Sequence, residues 1–365
     1  MKVAQVLNGA VLYFPKGKYL TGPFNLTSNI LMQLDPQATI LGIQDKDVYG
    51  IIPAFPSYGV GRDGGVDNYE PLIGGYNIQN VTITGGTIDG QGAYWWTLKR
   101  NKELQHSRPA LVQLQYCTQL KVISTTLLNS PFWTLHPIYC DDIYISDVKI
   151  RAPADSPNTD GIDIDSSSNV LIENVDIANG DDMIAIKSGF NMAGILFGKP
   201  TKNVIIRDSL FADGHGLSIG SETSGGIYNI SFLNSIVTNA KCGPKLKTSR
   251  GRGGIIEDIS FTNITVKDCL GDVTDTGMNY DKVPIPGNKT TTPILRNVTL
   301  AQIYSNCAQP GSFKCLPESP CRDFVLLDVS VPGATKDFYC EYISGSSENV
   351  QPPSCINVSK PTPPN

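Results

Sequence analysis

The sequence predicts an all-β chain folded as a single parallel β-helix, a solenoid in which coils of short strands stack on one another. Three observations favour this fold: a short pattern that recurs along the chain, turn-forming residues between its copies, and few helix signals. The 365 residues include 35 glycines and 25 prolines, and only 17% of them are charged. Such a composition is typical of turn-rich β proteins rather than of helical bundles.

The recurring pattern consists of Asn, Asp or Gln, then an apolar residue, then alternating polar and apolar positions. Alternation predicts a strand with one buried face. Neighbouring copies are 23 to 39 residues apart, as expected for a solenoid with one variable connection per coil. The copies begin at Asn80, Gln119, Asp142, Asn169, Asn203, Asn229, Asp258, Asn297 and Asp323. We expect these first residues to lie at bends, because Asn and Asp tolerate left-handed backbone geometry. A β-propeller is the alternative, but its blades are longer and carry more strands.

The repeat extends over most of the chain without an evident linker, so we expect one domain over residues 1–358. A short helix near 94–99 is the one helical segment that we anticipate early in the chain. The Pro-rich residues 359–365 are predicted to be a disordered tail.

Charge and hydropathy exclude two classes of partner. The net charge is −5 and the sequence pI is about 5.3, which does not resemble a nucleic-acid-binding protein. No stretch is apolar and long enough to predict a membrane span. No signal peptide is visible, and we expect that an N-terminal cap and a signal peptide precede Met1 in the full protein.

The nine cysteines include no CxxC pair, which argues against a zinc site. Five of them cluster in the last fifth of the chain, and we expect Cys315 to pair with Cys321 and Cys340 with Cys355. The chain also carries seven Asn-x-Ser/Thr sequons, at Asn25, Asn80, Asn229, Asn263, Asn288, Asn297 and Asn357. Clustered cysteines together with several sequons favour a secreted glycoprotein.

Three carboxylates define the candidate site. Asn158-Thr159-Asp160 is followed by Gly180-Asp181-Asp182, with 21 residues between Asn158 and Gly180, a spacing close to one coil. Stacked coils would therefore bring Asp160, Asp181 and Asp182 to one face. His215, which lies between two glycines, and the Lys245-Leu246-Lys247 segment fall on later coils. Carboxylates beside a histidine and two lysines suit hydrolysis of an acidic polysaccharide.

A simpler interpretation is that the aspartates are ordinary turn residues, which would be preferable for any one of them taken alone. Asp163 and Asp165 alternate with isoleucines and are assigned a structural role. A calcium site built from Asp160, Asp163 and Asp165 is conceivable, but a strand would not present all three beside Asp181. We therefore expect no metal and no organic cofactor.

Four motifs in order resemble the signatures of the polygalacturonases, the pectin-degrading glycoside hydrolases of family 28, and the likeness is greatest to plant members. The motifs are Asn158-Thr159-Asp160, Gly180-Asp181-Asp182, Gly214-His215-Gly216 and Lys245-Leu246-Lys247, with Tyr280 where the family has a cleft tyrosine. The resemblance covers nearly the whole chain. It implies a right-handed β-helix that hydrolyses α-1,4-galacturonosyl linkages of homogalacturonan with inversion.

The resemblance also implies roles for individual residues. Asp181 would be the general acid, while Asp160 and Asp182 would activate the water. His215 would orient a catalytic carboxylate or contact sugar. The substrate-binding residues would be Asn158, Lys245, Lys247 and Tyr280. Lys245 stands where the family usually has arginine, and a lysine cannot form the bidentate fork of arginine with a carboxylate.

The resemblance further implies a monomer that is secreted to the plant cell wall, with a pectic polysaccharide as its partner. Two alternative functions remain open. One is hydrolysis of a decorated pectin, such as xylogalacturonan or rhamnogalacturonan, and the other is a catalytically impaired protein that only binds pectin. A longer connection from Phe190 to Pro200, between the second and third motifs, would close one end of the cleft and favour attack at chain ends.

Overall fold

The computed structural model describes residues 9–281 and 291–356. Within these ranges the chain winds as a right-handed parallel β-helix, which confirms the predicted fold class. Right-handed winding is the sense that connections between parallel strands take. The predicted tail at 359–365, the domain end at 358 and the sequons Asn288 and Asn357 lie outside the described residues.

The larger sheet contains 19 strands, and successive coils pair in parallel throughout it. Its strands are Ala10–Phe14, Gly17–Thr21, Ile30–Leu34, Ala38–Gly42, Gln79–Thr84, Thr87–Asp89, Thr118–Ile123, Thr126–Leu128, Asp141–Ser146, Lys149–Arg151, Ser168–Glu173, Asp176–Ala178, Thr201–Arg207, Leu210–Ala212, Ile227–Thr238, Ile255–Lys267, Ile294–Ser305, Cys321–Ser330 and Ile343–Gln351.

The smaller sheet, which we call the cleft sheet, contains 11 strands, and its outer face carries the candidate site. Its strands are Phe24–Asn25, Ile73–Tyr76, Val112–Gln115, Leu135–Ile138, Ile162–Asp165, Ile184–Lys187, Leu217–Ile219, Pro244–Lys247, Asp272–Gly277, Gln309–Lys314 and Tyr339–Glu341. A separate antiparallel pair joins Ile51–Ile52 to Asn68–Tyr69.

Among the described residues, helical structure is limited to short connections. The helix Ala93–Arg100 confirms the helix that was predicted near 94–99. A second helix, Asn191–Phe197, lies in the long connection between the second and third motifs, and Lys46–Val48 forms a 3-10 turn. No described helix is long and apolar enough to cross a membrane.

The apolar positions of the repeat point inward and stack from coil to coil. Val170, Val204 and Ile230 are paired in register and are each no more than 3% exposed. Phe232 and Phe261 continue the stack with ring centroids 4.6 Å apart. The core is therefore a column of side chains that each coil extends, and burial of this column holds successive coils in register.

The first residue of each repeat copy lies at a bend, as the sequence predicts. All nine have positive φ, from 52° at Asn297 to 60° at Asp258. Several of their side chains also form a ladder along the solenoid. Asn229 donates to Asn203 and Asn203 donates to Asn169, each at 3.0 Å. The asparagine side chains therefore link the coils at the same bends where the backbone needs a residue that tolerates left-handed geometry.

Three disulfides lie in the last third of the chain. The sulfurs of Cys315–Cys321 and Cys340–Cys355 are 1.98 and 2.09 Å apart, and these are the two expected pairs. A third pair, Cys269–Cys307, was not anticipated. The remaining cysteines, Cys117, Cys140 and Cys242, are buried thiols.

The asparagine ladder yields a stability prediction. Asn203→Ala should lower the free energy of unfolding by about 2 kcal/mol, because it removes two hydrogen bonds and puts alanine, which tolerates left-handed geometry less well than asparagine, at this bend. Asn203→Gly should cost less, since glycine accepts a φ of 57°. Urea unfolding followed by circular dichroism measures both variants. Equal and negligible effects would mean that the ladder does not stabilise the coils.

Candidate active site

The pairing of two neighbouring strands of the cleft sheet brings the three catalytic candidates together. Ile162 pairs with Ile184, so the step between these coils is 22 residues. Asp160 therefore aligns with Asp182, and Asp181 lies one position earlier in the turn. The two motifs are offset by the same 22 residues, from Asn158 to Gly180 and from Asp160 to Asp182. All three carboxylates line one pocket on the outer face of the sheet.

Asp182 is held by donors on both of its oxygens. The Ser218 hydroxyl donates to Oδ1 at 2.8 Å, and the Lys247 ammonium donates to Oδ2 at 2.5 Å. Its side chain is only 1% exposed. This environment fixes Asp182 in place and suits an anionic carboxylate.

Asp181 is the most accessible of the three carboxylates. Its side chain is 16% exposed, against 5% for Asp160 and 1% for Asp182. Asn158 Nδ2 donates to its Oδ2 at 3.3 Å, and His215 Nδ1 lies 3.0 Å from its Oδ1. Burial raises the pKa of Asp181, but the hydrogen bond from His215 and the charge of Lys247 outweigh burial and hold that pKa below its usual range.

His215 is fixed between two partners. The Lys241 ammonium donates to its Nε2 at 2.5 Å. Since an ammonium group cannot accept a hydrogen bond, Nε2 must be the acceptor and the ring proton lies on Nδ1, facing Asp181. His215 is therefore placed to orient Asp181. Lys241 was not identified from the sequence, because a surface lysine beside a turn carries no distinguishing signal.

Asp160 has the opposite electrostatic environment from Asp181. Burial and the nearby charges of Asp181 and Asp182 raise the pKa of Asp160 to about 7, against the opposing effect of Lys187 and Lys247. The environments of Asp160 and Asp181 thus move their pKa values in opposite directions, as in sites that pair a general acid with a general base.

A buried cluster of ions, which sequence analysis largely missed, lies beneath the pocket. The Lys187 ammonium is 3.4 Å from Asp160, 3.3 Å from Asp163 and 3.3 Å from Glu222. It also lies 4.3 Å from the centroid of the Trp133 ring. Burial lowers the pKa of Lys187, but the carboxylates outweigh it and keep the lysine protonated. Asp163, which was assigned only a structural role, is a direct neighbour of this ammonium.

The members of this cluster differ in whether the sequence could have revealed them. Lys187 ends the same strand that follows Asp182, so strand alternation offered a weak signal for it. Glu222 and Arg62 offered none, because Arg62 reaches Glu222 from a loop 160 residues away.

The expected substrate-binding lysines differ in their positions. Lys247 lines the pocket, and its ammonium lies 5.0 Å from the centroid of the Tyr280 ring, which is itself 49% exposed. Lys245 points to the same side of its strand, next to Ser218 in register. The described residues that line the pocket include Lys247 and Tyr280 but not Lys245.

The ligand atoms of Asp181, Asp182 and His215 lie within 4.8 Å of one another, close enough to bind one cation. Two of them already accept hydrogen bonds from ammonium groups, Asp182 from Lys247 and His215 from Lys241. The donor set is therefore better matched to internal ion pairs than to a metal.

Comparison with known proteins agrees with this geometry. The family model described as "Glycosyl hydrolases family 28" matches residues 14–355. A "Probable polygalacturonase" of Vitis vinifera is 36% identical over 96% of this chain and 73% of its own length. An "Endo-polygalacturonase" of Pectobacterium carotovorum subsp. carotovorum is 30% identical over 68% of this chain and 62% of its own length.

A solved structure, a "hyperthermoactive Exopolygalacturonase" from Thermotoga maritima, superimposes with a TM-score of 0.85 at 28% identity. The superposition covers 96% of this chain and 85% of the Thermotoga chain. The sequence motifs, the stacked carboxylates and these matches agree, and the chain belongs to family 28 of the glycosyl hydrolases.

Proposed function

We propose that this protein hydrolyses α-1,4-galacturonosyl linkages of homogalacturonan with inversion at the anomeric carbon. The observation that carries the proposal is the convergence of Asp160, Asp181 and Asp182 in one pocket with the ammonium groups of Lys187 and Lys247. Membership of family 28 and the polygalacturonase names of the relatives support it.

Asp181 is the general acid in this mechanism, because it is the carboxyl that a glycosidic oxygen can reach most easily. In the free enzyme the low pKa of Asp181 and the raised pKa of Asp160 leave the proton on Asp160. A bound saccharide displaces water from Asp181 and brings its own carboxylate close. Both effects raise the pKa of Asp181 and favour transfer of the proton to it.

The chemical step then follows the inverting scheme. Asp181 protonates the departing oxygen while Asp160 and Asp182 orient a water molecule against the opposite face of the sugar. One water O–H proton passes to the basic carboxylates as the C–O bond to water forms. Lys247 and Tyr280 border the pocket on the side of the later coils, where they can contact a galacturonate carboxylate and a sugar ring.

The two alternatives are less well supported. The structural neighbour named an endo-xylogalacturonan hydrolase is only 20% identical, so it supports the fold alone and the decorated-pectin alternative is not favoured. A catalytically impaired protein would not need Asp160, Asp181, Asp182 and His215 in one connected arrangement. We further propose that the protein acts as a secreted monomer at the plant cell wall.

Loss of the general acid should abolish most turnover. Asp181→Asn should reduce kcat on polygalacturonate by about 100- to 10,000-fold, the usual contribution of general acid catalysis. Asp155→Asn is the matched control, because Asp155 lies in the loop that precedes Asp160 and is 87% exposed. Release of reducing ends measures both variants. Unimpaired turnover by folded Asp181→Asn protein would refute the assignment.

The raised pKa of Asp160 predicts the alkaline limb of the pH profile. Because the carboxyl cluster must hold one proton for catalysis, kcat/KM should fall as the pH rises through about 7, where Asp160 ionises. This limb is measured from initial rates at subsaturating substrate between pH 4 and 9, taken about every half pH unit. A control at pH 5 after incubation at each pH separates titration from inactivation. A constant kcat/KM across neutral pH would contradict the shared-proton mechanism.

A further inference from the structure

We propose that a loop across the cleft sheet blocks the pocket at its glycone end, so that the enzyme removes single galacturonate units from the non-reducing ends of its substrate. This inference rests on the proposed hydrolysis of galacturonan. The loop, which we call the strap, comprises residues 53–67. It begins and ends at the antiparallel pair of Ile51–Ile52 with Asn68–Tyr69.

The strap covers the outer face of the cleft sheet on the coil of Asp160 and on the coil before it. The Tyr58 hydroxyl donates a hydrogen bond to Asp165, and Phe55 packs edge-on against His136 with ring centroids 5.5 Å apart. Asp165 and His136 are both 0% exposed, although both belong to the outer face of the sheet. A saccharide therefore has no access to this part of the outer face.

An aromatic cluster seals the same region. It is separate from the core of the solenoid and consists of Phe55, Tyr58, Phe132, Trp133, Ile138 and Tyr139. The backbone N–H of Ser57 donates to the Tyr139 hydroxyl at 3.0 Å, and the hydroxyls of the two residues share a hydrogen bond of 2.6 Å. Burial of these large rings makes the covering a packed structure rather than a loosely placed loop.

The long connection that follows Lys187 supports the strap from its other side. The N–H of Phe190 donates to the Ser57 carbonyl at 2.8 Å. The guanidinium carbons of Arg62 and Arg252 lie 4.0 and 3.9 Å from the centroid of the Phe190 ring. Two cations over one ring, each held by its own ion pair, fix the strap against this connection.

The far end of the strap forms part of the pocket wall. Arg62 Nε donates to Glu222 at 2.9 Å, and Asp63 accepts from Arg108 Nη2 at 3.1 Å. Arg108 in turn donates to Asn158 at 2.9 Å, the residue that contacts Asp181. Arg62 keeps 26% of its side chain exposed and, like Asp63, lines the pocket. The strap is thus connected to the catalytic residues through short polar contacts.

The order of the coils determines which chain end the strap meets. Asp160 lies on a coil that the strap contacts through Asp165, whereas His215 and Lys247 lie on later coils. The water activated by Asp160 attacks the sugar on the strap side, and the leaving sugar extends toward Lys247 and Tyr280. The attacked sugar has no room for a neighbour beyond it, so it must be the non-reducing terminal unit.

A hexagalacturonate that carries a fluorescent label at its reducing end tests the proposal. Wild-type protein should produce labelled pentamer first, then labelled tetramer, with unlabelled monomer from the earliest time points. Labelled monomer, dimer or trimer as the first product would overturn the inference while leaving the proposed hydrolysis intact. Absence of any cleavage would contradict the proposed hydrolysis itself, and this inference with it.

Arg62→Met tests the role of the strap in the same assay. Methionine keeps most of the volume and removes the charge, and Glu222 retains Lys187 at 3.3 Å as a partner. We expect KM to rise about tenfold, as for loss of a charged hydrogen bond, and labelled tetramer to appear beside pentamer as a first product. The control Arg207→Met breaks a comparable ion pair with Glu173 on the larger sheet and should change neither quantity. Unchanged KM and products in Arg62→Met would contradict a role of the strap in the pocket.

Discussion

The chemistry of the pocket depends on two buried ammonium groups, Lys187 and Lys247. Asp160, Asp181 and Asp182, together with Asp163 and Glu222, lie around them in the fold, and most of these groups are almost fully buried. Buried carboxylates without partners would be strongly destabilising. Lys187 contacts three of the acids and Lys247 a fourth, so the two lysines allow the solenoid to carry a concentrated negative charge on its face.

The three aspartates differ in how many donors and cations contact their oxygens. This difference moves the pKa values of Asp160 and Asp181 apart, although they are the same residue type. Asp182 has Ser218 and Lys247 on its oxygens, and Asp181 has His215 and Asn158. Within the described ranges Asp160 has a single ion pair, with Lys187 at the longer distance of 3.4 Å, and Asp160 carries the raised pKa. A proton is therefore retained in the cluster near neutral pH. The same arrangement leaves Asp181 the most exposed of the three, and in the proposed mechanism this separates the carboxyl that stores the proton from the carboxyl that delivers it.

Much of the fold and part of the site could be predicted from the sequence, because both follow from local patterns. Positive φ at Asn203 and its equivalents, the inward stack of apolar residues and the helix Ala93–Arg100 all follow from residue type and periodicity. The alignment of Asp160 with Asp182 agrees with the 22-residue offset between the two motifs. The contact of Arg62 with Glu222 could not be predicted, because a loop brings these residues together over 160 residues. Contacts between residues so far apart in the chain produce no periodic pattern in the sequence.

The most direct test of the account is the anomeric configuration of the first product. If Asp160 and Asp182 activate a water on the face opposite Asp181, cleavage of an α linkage must release a β-configured reducing end before mutarotation. Proton NMR of a galacturonate oligomer, recorded within the first minutes after addition of enzyme, distinguishes the two anomeric signals. The account predicts that the β-anomer appears first, and initial appearance of the α-anomer would contradict it.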